Sequence, residues 1–204
     1  MSGIVTETNR YAQQNNSKNW IDVTAEEMKA FIGCLIVMGI HQLPALKHYW
    51  SSDPFLHVES VASVMTASRF KKIVENLHCN DNKVQPPKSD PNYDKLHKVK
   101  PLLESLNENV RKVYQPSAVV TIDESMIPFK GRYTLKQYMP NKPIKWGYKV
   151  WCLCDSYTGF VIAFFVYTGK DDTPKNITLG EKVVTKLVEA AKIERIPAVL
   201  CLKI

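Results

Sequence analysis

Hydrophobic positions recur at helical spacing through the first half of the chain. Met28, Phe31, Ile32, Leu35 and Ile36 share one side of a segment that opens on Thr24-Ala25-Glu26-Glu27. Thr24 there can accept from the Glu27 amide while Glu27 reaches back, the reciprocal arrangement that starts helices. The expected helix runs to about Ile40. Phe70, Ile73, Val74 and Leu77 predict a second helix from about Ala67 to His78. Leu96, Val99, Leu103, Leu106 and Val110 predict a third, from about Asp94 to Tyr114. Pro101 either kinks that helix or marks a restart in a first turn. Met1 to Asn19 is polar and reads as a loose arm, and the turn pairs of Asn80 to Pro91 read as a loop.

After Pro116 the period shortens. Ser117 to Asp123 is a β-branched run that ends on an acid, and Trp146 to Asp155 alternates as a strand does. Phe160 to Tyr167 predicts a third strand, joined to the second through Tyr157-Thr158-Gly159. A helix from Leu179 to Lys192 carries Val183, Val184, Leu187 and Ala191 on its apolar side, and Ala198 to Ile204 is a last apolar run. The expected organisation is an arm (1–19), a helical region (20–115) and a mixed region (116–204), an α+β or α/β chain. Three strands able to pair antiparallel, then a helix crossing to a fourth, make the first half of a ribonuclease H-like core.

Composition narrows the class. Apolar residues at 45% and charged residues at 23% exclude wholesale disorder. The apolar run Phe31 to Ile40 is about half of the roughly 20 residues that span a bilayer, so no membrane is expected as a partner. The start, MSGIVTETNR, lacks the pattern of a secretory leader. Five widely spaced cysteines suit free thiols in a reducing compartment.

The net charge of +7 is concentrated rather than spread. Between Ser125 and Cys154 stand Lys130, Arg132, Lys136, Lys142, Lys145 and Lys149 with no acidic residue, and the rest of the chain is nearly balanced. Phe129, Tyr133, Tyr138, Trp146, Tyr148 and Trp151 are interleaved with these cations. Cations displace counterions from phosphates and aromatic faces stack on bases or sugars, so an anionic partner is expected, nucleic acid first. If all six cations met phosphate, log K against log salt would slope at roughly −5.

In ribonuclease H-like cores a carboxylate on the first strand and one on the fourth hold divalent metal, which clamps the attacking and leaving oxygens of a phosphodiester. Asp123 stands where the first would be. Cys152-x-Cys154 has no second ligand pair, the histidines show no metal spacing, and no glycine-rich phosphate loop occurs, so no zinc is expected. Asp155 and Asp171-Asp172 read as turn openers.

The run Thr121-Ile122-Asp123-Glu124-Ser125-Met126-Ile127-Pro128-Phe129-Lys130-Gly131-Arg132, with Tyr138-Met139-Pro140-Asn141-Lys142-Pro143, Lys145-Trp146-Gly147, Cys154-Asp155-Ser156 and Leu179-Gly180-Glu181, closely resembles the piggyBac transposases and their domesticated derivatives. Arg69-Phe70, Leu77-His78 and Lys98-Val99 resemble the family's helical dimerisation and DNA-binding region. The resemblance implies a Mg²⁺-dependent cut-and-paste DNA transposase with three essential aspartates, of which Asp123 matches the first. It assigns DNA contact to the basic block: Lys130, Arg132, Lys136, Tyr138, Lys142, Lys145, Trp146 and Lys149. Leu202 stands where the second aspartate is expected, and the third aspartate and the family's zinc module have no counterpart in these 204 residues. Leucine cannot ligate Mg²⁺, so the expectation is a nuclear protein that binds transposon-end-like double-stranded DNA without catalysing its cleavage. The alternatives are a dimerisation module, acting as a homodimer or with a full-length relative, and a non-functional fragment.

Overall fold

The computed structural model describes residues 1–169, 178–192 and 198–200. The chain divides into two compact units, Met1–Pro101 and Leu102–Ile204.

The first unit is helical. It comprises α1 (Ser2–Gln14), α2 (Ala25–Ile40), a 3-10 turn at Leu46–Trp50, α3 (Glu59–Ala62), α4 (Ala67–Asn76) and a short 3-10 turn at Asn82–Val84. Met28, Phe31 and Cys34 of α2 meet Tyr49, Val61, Met65, Phe70 and Ile73 in one core. The Phe31 and Phe70 rings lie 4.9 Å apart, and the Trp50 indole N–H donates to the Met65 carbonyl at 2.7 Å. Thr24 accepts from the Glu27 amide as expected, at 3.1 Å. The Glu27 carboxylate, however, faces Arg69 of α4, which donates from Nε and a terminal nitrogen at 2.6 Å each. A bidentate guanidinium is a stronger partner than one backbone amide, so the reciprocal half of the cap gives way.

Residues 2–14 are not a loose arm but a helix. Thr8 and Ala12 are buried, Tyr11 stacks on His78 at 3.4 Å between ring centroids, and Asn9 bonds both backbone groups of Val23. Ile4 and Val5 also pack against the core, but two aliphatic side chains in so polar a run give too weak a period to reveal the helix.

The second unit opens within α5 (Lys100–Val113), a helix that starts at Lys100-Pro101 rather than at Asp94. The proline occupies the first turn, where its missing N–H costs nothing. Asn107 of α5 donates to the carbonyl of Phe164 at 3.0 Å and accepts from its amide at 2.9 Å, while Arg111 donates to the Ala190 carbonyl. These bonds attach α5 to the strand that carries Phe164 and the helix that carries Ala190. The division therefore falls after Pro101 and not at the expected 115/116 boundary.

The sheet comprises β1 (Val119–Pro128), β2 (Lys136–Tyr138), β3 (Trp146–Asp155), β4 (Val161–Val166) and β5 (Ala198–Leu200), with α6 (Leu179–Ala191) between the last two. β3 pairs antiparallel with β1 on one side and with β2 and β4 on the other; β5 pairs parallel with β1. Three antiparallel strands and a helical crossover to a parallel fourth are the expected ribonuclease H-like order, with the short β2 added. Val120 and Ile122 of β1, Trp151 and Leu153 of β3, Ile162 and Ala163 of β4, and Val183, Leu187 and Ala191 of α6 form the core.

β1 does not end at Asp123. It continues to Pro128 because β3 offers partners throughout, from Val120 opposite Asp155 to Pro128 opposite Gly147. Gly147 is required at that last pair: a Cβ there would stand 2.1 Å from the Ile127 carbonyl oxygen. Asp155 does open a turn, accepting from the amides of Ser117, Tyr157 and Thr158 at 2.7–3.0 Å. Those donors, Ser117 foremost, hold its carboxyl well below the usual carboxylate range. Asp171-Asp172, Cys201 and Leu202 lie outside the described residues. No helix among the described residues is long and apolar enough to cross a membrane.

Candidate nucleic-acid interface

Strand alternation sorts the residues of β1 before any contact is considered. Val120, Ile122, Glu124 and Met126 share the side of the core, whereas Thr121, Asp123, Ser125 and Ile127 point to the other. Asp123 lies opposite Cys152, its side chain 58% exposed, while the Glu124 side chain is only 11% exposed. Lys142, from the segment between β2 and β3, brings its ammonium to 3.1 Å from Glu124 Oε1 and 4.0 Å from Asp123 Oδ1. The same Asp123 oxygen accepts from the Glu124 amide at 2.8 Å, which curls the carboxylate back onto its strand.

Among the described residues, these two carboxylates do not converge on one point. A hard dication needs oxygens that converge on a near-octahedral point. Here the two carboxylates start from opposite faces, one is turned to the backbone, and the Lys142 ammonium offsets one of their two charges. Burial, helped by the charges of Cys154 and Asp123, pushes the Cys152 thiol up to about 11, and Cys154 is raised for the same first reason.

The residues expected to contact DNA do not form one surface. β3 alternation puts Trp146 on the side of Asp123 and Lys149 on the side of the core. The Lys149 ammonium sits 4.0 Å above the Trp151 ring and 5.8 Å from that of Tyr167, and burial lowers its pKa. Lys142 is taken up by Glu124 and Asp123. The remaining six lie between Lys130 and Trp146. Lys130 and Arg132 are exposed in the turn after β1, and Lys145 is exposed where β3 begins. Lys136 donates to the Gly131 carbonyl at 2.9 Å and lies 5.1 Å over the Trp146 ring. Tyr138 of β2 pairs with Trp146 of β3, their ring centroids 4.5 Å apart. On the same sheet side Phe129 stacks on Tyr148 at 4.7 Å, and Tyr133 meets Tyr148 edge-on at 6.3 Å.

Sequence reasoning does not single out Glu124 as a site residue. The signal is its two-residue offset from Ile122, which turns it to the core side, where an unpaired carboxylate needs a cation. The Tyr138–Trp146 pairing is foreshadowed by Pro140-Asn141-Lys142-Pro143, a turn between two extended segments.

The family model described as Transposase IS4 matches residues 1–200. The human PiggyBac transposable element-derived protein 3 is 32% identical over 189 residues, 92% of this chain and 30% of the relative. The human PiggyBac transposable element-derived protein 2 is 34% identical over 189 residues, covering 92% of this chain and 31% of its own length. The chain thus spans less than a third of the length of these relatives. A piggyBac transposase synaptic complex with hairpin DNA, solved by cryo-EM, superposes with a TM-score of 0.76 at 27% identity, covering 93% of this chain and 40% of that one. The sheet order, the motif around Asp123 and these matches lead to one assignment: the chain belongs to the Transposase IS4 family, among the piggyBac transposases and their derivatives.

Proposed function

We propose that this chain is a DNA-binding member of the piggyBac-derived group whose residues 1–204 do not themselves carry out phosphodiester chemistry. The observation that carries the first half is the cluster of exposed Lys130, Arg132 and Lys145 with Lys136 beside exposed aromatic rings. Cations with no carboxylate among them attract a polyanion and release its counterions. That a structural neighbour was solved with hairpin DNA supports the same partner. The second half rests on the Lys142 ammonium shared by Glu124 and Asp123, and on the lack of a convergent oxygen set among the described residues.

Fluorescence anisotropy with a labelled duplex tests the binding. The triple variant Lys130→Gln, Arg132→Gln, Lys145→Gln should lose most of the affinity while melting as the parent does. Equal affinity in parent and variant would refute the assignment. An Mg²⁺-dependent nicking assay tests the catalytic half, and cleavage that disappears in Asp123→Ala would overturn it. A DNA partner places the protein's work in the nucleus, which microscopy of the tagged chain would check.

A second reading rests on α2. Leu35, Ile36 and Ile40 are 42%, 60% and 83% exposed, an apolar helix face open to solvent. It suits self-association or association with a longer relative. Sedimentation showing a monomer at high concentration, alone and in mixture, would exclude it.

A further inference from the structure

Thr134 stands at the tip of the connection between β1 and β2. The Lys136 amide donates to the Tyr133 carbonyl at 3.1 Å, which places Thr134 and Leu135 at the two central positions of a β-turn. Leu135 is 3% exposed and anchors the turn, whereas Thr134 is exposed. The threonine hydroxyl makes no hydrogen bond among the described residues, so the turn does not depend on it. The connection from Phe129 to Leu135 carries neither helix nor strand, and it can open into the extended form that a protein kinase groove accepts.

The neighbours of Thr134 select a kind of kinase. Lys130 stands four residues before it, Arg132 two before and Lys136 two after, with no acidic residue between Ser125 and Cys154. Leu135, not a proline, follows it. A kinase that reads proline or carboxylates beside its target finds neither here, whereas one whose peptide groove is lined by carboxylates meets three cations. Ser68 also precedes cations, Arg69, Lys71 and Lys72, but it lies inside α4, where the backbone is committed to the helix.

We propose that Thr134 is a phosphorylation site for a protein kinase that selects basic flanks, and that its phosphate releases the chain from DNA. In the transfer, Thr134 Oγ1 attacks the γ-phosphorus of a nucleoside triphosphate brought by the kinase. The bond to the β,γ-bridging oxygen breaks, the nucleoside diphosphate leaves, and the hydroxyl proton passes to the kinase's carboxylate base. The product adds about 1.5–2 negative charges among Lys130, Arg132 and Lys136. Arg132 and Lys136, the nearest cations on either side, pair with it and are withdrawn from the phosphates of a duplex. Regulation of this kind rests on the DNA-binding reading.

The test treats residues 1–204 with ATP and the catalytic domain of protein kinase C, which selects basic flanks, or with casein kinase II, which selects acidic ones. Tandem mass spectrometry of the parent locates the phosphate without relying on a variant: the first enzyme should place one on Thr134 and the second none there. Thr134→Val should melt and bind duplex as the untreated parent does, and should lose that phosphate. Treated and untreated parent are then titrated with one labelled duplex. Withdrawing two of the four cations left for DNA halves the salt slope, from about −3.6 to about −1.8, and should weaken binding at 100 mM salt by about tenfold or more. A phosphatase should restore the affinity. If the first kinase leaves Thr134 unmodified, or if the phosphorylated chain binds as tightly as the parent, the switch is overturned while DNA binding by the untreated chain stands. If the untreated chain binds no duplex at low salt, DNA binding itself fails and the release fails with it.

Discussion

The salt dependence of duplex binding can be worked out cation by cation. Six basic residues occupy the stretch from Ser125 to Cys154, and a slope of about −5.4 would follow if each neutralised one phosphate at 0.9 per contact. Lys142 is committed to Glu124 and Asp123, and Lys149 is half-buried over Trp151 on the other side of the sheet. Four cations remain, Lys130, Arg132, Lys136 and Lys145, which lowers the expected slope to about −3.6. Between 50 and 200 mM salt the affinity should therefore fall by about 150-fold, against about 1,800-fold for six contacts. The tie at Lys142 supplies an internal control. In Asp123→Asn, Glu124→Gln the ammonium loses both partners, and the slope should steepen by about one unit toward −4.5. Anisotropy titrations at five salt concentrations, on parent and double variant, give both numbers. A parent slope near −5.4 would show that Lys142 and Lys149 leave their partners on binding. A slope near zero, or no steepening in a double variant that melts normally, would refute the reasoning.

Gly147→Ala should destabilise the second unit by about 1–3 kcal/mol, because the added carbon meets the Ile127 carbonyl and the strands must part; urea unfolding followed by circular dichroism reads it. Arg69→Ala strips Glu27 of two charge-assisted bonds and should cost the helical unit about 1–3 kcal/mol, less in Arg69→Lys, measured by chemical denaturation. The folded carboxyl of Asp155 titrates below its unfolded value of about 3.9. Its contribution to stability is thus complete above about pH 4 and lost as the pH falls toward the folded value; thermal melts from pH 6 to pH 2 should show the loss, and Asp155→Asn should flatten it.

Much of the molecule is legible in the chain because its signals are local. The Thr24 cap, the β3 alternation and the Thr178 start of α6, where the hydroxyl accepts from Glu181, each depend on residues within one turn or strand. What escapes depends on distant partners. α1 is held by polar contacts to residues 23, 78 and 81 and by Ile4 and Val5 against the core, and β1 is extended past Asp123 by a strand that begins eighteen residues after Pro128. The same holds at the candidate interface. The concentration of charge is evident from the chain, but its division is not, because Lys142 and Lys149 are withdrawn by neighbours that only folding brings near.

Asn107 has a consequence for how this sheet can grow. Its single amide satisfies both main-chain groups of Phe164 on the outer margin of β4, so that margin offers no template at its centre. β5 forms the opposite margin, and among the described residues only its inward side is paired, to β1. The sheet is therefore polarised: a further strand, whether from the same polypeptide or another, has a ready seam beyond β5 and a sealed one beyond β4. One side chain on a helix thus sets the direction in which the architecture remains extensible.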